Sequence, residues 1–281
     1  MGKLKTDDPL NGWVYQKNIN EKIEINRIDN TDMLIIGKPS LDIDRENRVI
    51  NIKRNSNKDR IVFKNGLLSE WKVYLNDSSK LISNIYSFDE RNLTGCVNFY
   101  DVELDKIEFS SNGSKCEDAV NFVRSSGLVK KLSILNSAFD AMDSDFSKLT
   151  FENIEVNNSK NDCMDFSYGT YRVNRSFLEN CGDKAISVGE KSNISIENTI
   201  IKNSNYAIVS KDYSTAKIVN SNWSKKNDSA FKISSQSISL LNHLDQIHYT
   251  EKLPNDNTDY YFIEKIFLNK DLFEKLHIFD A

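Results

Sequence analysis

Small, apolar and polar positions recur along this chain with a common period. A column of small residues runs through Cys96, Ala119, Ala141, Cys163, Ala185, Ala207 and Ala230, at intervals of 23, 22, 22, 22, 22 and 23 residues. A column of branched or aromatic apolar residues keeps that register at Ile107, Val129, Phe151, Val173, Ile196 and Ile218. A third column is asparagine, at Asn136, Asn158, Asn180 and Asn203. The segments LTFENIEV, TYRVNRSFL, NISIENTII and TAKIVNSNW alternate apolar and polar residues, as strands do. A repeat of 22 is too short for helical repeats, and the apolar columns mix Val, Ile and Phe where a leucine-rich repeat would fix Leu. The pattern predicts an all-β parallel solenoid whose coil is the 22-residue repeat. The asparagines fall at a bend, where the left-handed backbone and an amide ladder between coils both suit them.

The period divides the chain into a body and two closures. Residues 1–40 read as an irregular N-terminal β cap, which a solenoid needs to hide its open strand edge. Residues 41–240 form the solenoid; RVINIKR, RIVFKNG, WKVYLND and KLISNIYS are strand-like but out of register, and the regular coils occupy 93–240. Residues 241–281 read as a C-terminal cap. There Phe262, Ile263, Ile266 and Phe267 recur at three and four, which predicts a helix, with a strand pair as the alternative. A stack of this kind grows along one axis, so one structural domain is expected.

Composition narrows the partners. The 37 basic and 41 acidic residues are interspersed and give a net charge of −4, so the chain lacks the basic stripe by which a protein neutralises nucleic-acid phosphates. No run of 18 apolar residues occurs and the first 30 residues show no signal-peptide pattern, so no membrane span is expected. The compartment stays open between the cytoplasm and a truncated secreted or surface protein. The four cysteines lack CxxC spacing. Cys96 and Cys163 occupy the small interior column and read as buried and reduced, while Cys116 and Cys181 fall near turns, without partners for a zinc site.

The candidate chemistry is acidic. Asp118, Asp140, Asp162 and Asp183 form a column just before the small one, and Asn121, Asp143, Asp165 and Ser187 form another two positions after it. DAMDSDFS reads as DCMDFS with two residues inserted, which adds Asp145. Carboxylates in one column stand about 4.8 Å apart, so they require a shared proton, a bound cation such as calcium, or a neighbouring lysine. Lys184, Lys191 and Lys211 are the candidate lysines, with Glu190 and Asp212 beside them. Aspartate also favours turns and accepts their amide hydrogens, the structural reading of the first column. Tyr168, Tyr171, Tyr206 and Tyr213 lie near the same turns and suit either sugar stacking or ordinary packing.

The register and the Asp-small-apolar turns make residues 93–240 resemble the right-handed parallel β-helix, or pectin-lyase-like, superfamily. FDAMD, NDCMDF, GDKAISVGE and VSK fall in the order of polygalacturonase-type glycosidase motifs, with Lys184 at the histidine position and Asn161–Asp162 in place of paired acids. The resemblance implies an enzyme cleaving or modifying an acidic polysaccharide. Asp140 and Asp162 would then be the acids, and Lys211 the partner of a substrate carboxylate. From the residues themselves, a hydrolase would draw its acid and its base or nucleophile from Asp140, Asp143, Asp162 and Asp165. A lyase would use Lys184 or Lys211 as base. Asp145, Tyr168, Glu190, Lys211 and Asp212 complete the substrate-binding set. The alternative is a non-catalytic module that binds a glycan or a protein, or a purely structural solenoid.

Overall fold

The computed structural model describes residues 23–79, 93–224, 229–233 and 240–241, and within them the chain winds into a parallel β-solenoid of about seven turns. Each regular coil adds one short strand to a first sheet (sheet A) and one long strand to a second (sheet B). The short strands include Gly95–Tyr100, Asp118–Val123, Asp140–Asp145, Met164–Ser167 and Lys184–Gly189. The long ones include Glu103–Asn112, Ser126–Ser137, Lys148–Ser159, Thr170–Cys181 and Asn193–Lys202. Parallel pairing sets Asp118 beside Asp140 and Val129 beside Phe151, so the sequence period is the coil.

The N-terminal end closes with antiparallel strands. Glu24–Ile28 and Thr31–Ile36 form a hairpin on sheet A, and Ser40–Asp44 and Val49–Arg54 form another on sheet B. Antiparallel hairpins end a parallel ladder without leaving the first coil's edge bare. The described residues contain no helix, hence none long and apolar enough to cross a membrane. The expected C-terminal helix lies outside the described residues.

Three corner columns adopt left-handed backbone. The predicted asparagines Asn136, Asn158, Asn180 and Asn203 have φ between 52° and 64°. Asn158 donates to Asn136 at 2.6 Å and Asn203 to Asn180 at 3.3 Å; the ladder breaks where Asn180 turns to Asn157 instead. A second corner bends the long strands at Asn153, Arg175 and Asn198, and a third joins sheet A to sheet B at Arg124, Phe146 and Tyr168.

The interior is a spine of stacked rings. Phe63, Phe99 and Phe122 occupy one column of sheet A with centroids 5.1 and 5.0 Å apart. The next position is Ser144, paired with Phe122 before it and Phe166 after it. The gap is filled from sheet B by Phe151, edge-on to Phe122 at 5.4 Å and to Phe166 at 5.9 Å. These rings are fully buried, each worth roughly 1.5–3 kcal/mol of burial. This continuous register corrects the expected insertion: Asp143 pairs with Asp165, Ser144 with Phe166 and Asp145 with Ser167, with nothing inserted. A large-for-small exchange at an interior position had disguised the alignment.

A second correction concerns the cysteines, which are not reduced. Cys96 bonds Cys116 and Cys163 bonds Cys181, each with Cα atoms 5.4 Å apart. Each bridge ties the small column of one coil to the corner preceding that column in the next. The separations of 20 and 18 residues are therefore one coil less a few positions. Cys116 and Cys181 are buried with their partners.

Sheet A is also covered outside at its N-terminal end. Leu34, Ile36, Val62, Leu93, Tyr100 and Val123 form a second buried apolar cluster, separate from the solenoid core, with Ile23 packed against it. They alternate with the interior residues Met33, Ile35, Phe63, Phe99 and Phe122, which places the cluster on the opposite face.

Candidate functional site

The first acidic column is built into the coil turns. Asp140 accepts the backbone N–H of Asp162 at 2.7 Å, and Asp162 accepts that of Lys184 at 2.9 Å. The Lys184 ammonium reaches both Asp162 oxygens at 3.1 Å and also bonds Asp183. Asp118, Asp140 and Asp162 are buried; the Asp140 and Asp162 carboxylates hold the next coil's turn, whereas one Asp118 carboxylate oxygen has no partner among the described residues. Burial, and then the neighbouring Asp162, push Asp140 up to about 7. Burial raises Asp162 as well, against the bonds from Lys184. Burial works against the charge on Lys184, but its bonds to Asp183 and Asp162 prevail and raise its pKa. These residues, which carry the glycosidase resemblance, therefore already have structural partners.

The second column stands differently. Asn98, Asn121, Asp143, Asp165, Ser187 and Val209 follow one another along the outward side of sheet A, beside Tyr100, Val123, Asp145, Ser167, Gly189 and Lys211. Asn98, Asn121, Ser187 and Val209 are buried, as are Tyr100 and Val123. In the middle the face opens: Asp143, Asp145, Asp165 and Ser167 are half-buried, as is Lys211 two coils beyond Ser167. The accessible stretch coincides with the two coils that carry acids.

Within that opening the carboxyls are coupled. Asn121 donates to Thr94 at 2.6 Å and to Asp143 at 3.3 Å. Asp145 is hydrogen-bonded to Asp143 and Asn121. Two carboxyls bond each other only when one holds a proton. Burial first, and then the charges of Asp118, Asp145 and Asp165, push Asp143 well above the usual carboxylate range. Asp145 rises to about 6, by burial and against the bonds from Asp143 and Asn121. Both carboxyls are thus pushed toward the protonated form, principally by burial. Asp165, its register partner across one strand spacing, receives the N–H of Phe166 at 2.8 Å. The arrangement can present a protonated carboxyl and a carboxylate side by side.

The adjoining corner supplies the rest of the expected set. Tyr168 is 48% exposed and stacks on Phe146, itself 55% exposed, with centroids 4.9 Å apart and planes 3° from parallel. Both rings sit on left-handed backbone, an unusual place for a bulky residue. Phe146 escaped sequence reading although it lies one period before Tyr168. Glu190 accepts the hydroxyl of Ser167 and faces Asp145. Lys211 lies over Gly189, with the Asp212 carboxylate beside it. Tyr213 is exposed, whereas Tyr171 is a core residue: its hydroxyl donates to the carbonyls of Ser144 at 2.8 Å and Ser167 at 2.9 Å. Among the described residues no three acidic, histidine or cysteine side chains converge closely enough to hold a metal ion.

No protein-family model matches this sequence, and comparison with curated proteins finds no relative.

Proposed function

We propose that this protein is a polysaccharide hydrolase that works at the opening of sheet A, with Asp143 as the proton donor and Asp165 as the facing carboxylate. The observation that carries the reading is the pairing of these two carboxyls, one coil apart, on a stretch of that face where two successive coils are open to solvent. One strand spacing, about 4.8 Å, is close to the roughly 5–5.5 Å that separates acid and nucleophile in glycosidases that retain anomeric configuration. In such a reaction Asp143 would donate its proton to the leaving glycosidic oxygen while Asp165 attacks the anomeric carbon. Water then releases the sugar, with Asp143 acting as base. Asp145 holds Asp143 through their shared hydrogen bond, and Tyr168 with Phe146 offers an aromatic edge for the sugar.

A hydrolase fits better than a lyase. A lyase base must accept a proton, and the Lys184 amine is committed to Asp162 and Asp183 with its pKa raised. Lys211, two coils beyond Ser167 in the same outward column, is the cation placed for a uronate carboxylate. It supports an acidic glycan and the pectin-lyase-like affinity suggested by the motifs. The disulfides suit an oxidising, extracytoplasmic compartment.

The test is release of reducing ends from a panel of neutral and uronate-containing polysaccharides, with absorbance of unsaturated uronates followed in parallel. Hydrolysis by the wild type that falls roughly a thousandfold in Asp165→Asn, with glycan binding and melting temperature retained, supports the reading. Unsaturated products would establish elimination instead. Binding without turnover across the panel would favour the non-catalytic glycan-binding module.

A further inference from the structure

We infer a second, independent binding site: a groove on the outer face of sheet B that takes a linear, uncharged oligosaccharide. The groove has a volume of about 730 Å³ and runs along the solenoid axis near its N-terminal end. Two outward columns line it. One passes through Asn51, Tyr74, Ser110 and Ser133, and the other through Lys53, Asn76, Asn112 and Leu135. Four strands at about 4.8 Å give a track of roughly 14 Å, the size of a short oligosaccharide.

The chemistry of the track sets it apart from its surroundings. Elsewhere the outer face of sheet B carries ion pairs, Lys130 with Glu108, Arg175 with Glu152 and Arg172 with Glu197. Further along, the first column continues into Glu155, and the second reaches Glu179 after Asn157. Between these charges the groove is amide, hydroxyl and apolar. Its only described charges are Asp42 and Lys53, opposite in sign and together at its N-terminal end. Tyr74 is 42% exposed and Leu135 is 41% exposed, so an aromatic and an aliphatic surface are both open. Amides and hydroxyls that donate and accept, beside an exposed ring, match a polyhydroxylated chain without charge. An anionic chain would meet one cation there, Lys53, with the Asp42 carboxylate lining the same end.

Isothermal titration with cellohexaose, maltohexaose and hexa-N-acetylchitohexaose, and with hexagalacturonate as the charged comparator, tests the inference. At least one neutral hexamer is expected to bind, and Tyr74→Ala is expected to weaken it about tenfold or more. The melting temperature should change little, because Tyr74 lies on the outer face and outside the buried core. Asp165→Asn, on the other sheet, should bind as the wild type does, which separates this site from the one proposed above. The inference is overturned if no neutral hexamer binds, if Tyr74→Ala binds normally, if Asp165→Asn weakens binding as much as Tyr74→Ala, or if hexagalacturonate binds as tightly and loses that binding in Tyr74→Ala.

Discussion

Asp140→Asn should make this protein more stable in alkaline solution and leave it unchanged in acid. Asp140 is 8% exposed, and its neighbours are the Asp162 and Asp165 carboxyls, the Asp162 backbone N–H and the Asn161 side chain. Burial and those carboxyls raise it from 3.8 to about 7. The folded state therefore binds a proton that the unfolded state has lost, so stability falls as pH rises from about 4 to 7 and is level above that. The full displacement corresponds to about 4 kcal/mol, and allowing for water and side-chain relaxation leaves between about 2 and 4 kcal/mol. Asparagine keeps an oxygen for the Asp162 N–H at the same place but carries no charge to desolvate. Urea unfolding of both proteins at pH 4, 6 and 8 measures the difference directly. It should lie within about 1 kcal/mol of zero at pH 4 and favour the variant by between about 2 and 4 kcal/mol at pH 8. Comparing the pair at each pH cancels the opposite contributions of Asp29, Asp44 and Glu197, whose pKa values folding lowers. A difference that does not change with pH would refute the assignment of a buried proton to this carboxyl.

Ser144→Phe should destabilise the fold by about 1–3 kcal/mol in chemical denaturation, although it completes a phenylalanine column, because Phe151 already fills that space. Ser144→Ala should be neutral or slightly stabilising, since the buried Ser144 hydroxyl has no partner among the described residues. Replacing both Cys163 and Cys181 by alanine removes a link closing 18 residues and should cost about 3 kcal/mol in urea unfolding; an unchanged midpoint would place the staple outside the cooperative core.

The coil is legible in the linear order of residues. Interior residues must repeat wherever identical strands stack, so the small column, the branched column and the corner asparagines surface as a period in one dimension. That order also carried the acids of the opening, because residues one coil apart become neighbours one strand apart. What it did not carry is which columns face each other across the hollow, a relation set only when the two sheets pack. Phe151 enters beside Ser144 from the opposite sheet, so a position that looked like an insertion is a packing exchange between columns that no linear register connects. The cystines hid for the same reason: each joins different columns of successive coils, so no single column contains both partners. As sequence, the first acidic column ran through four coils and suited a structural role, while the second was acidic at two coils only. The fold supplied the contacts, turning Asp140 and Asp162 onto the amides of the next turn and leaving Asp143, Asp145 and Asp165 half-buried on the outward side of sheet A, because access to solvent depends on what packs above a face.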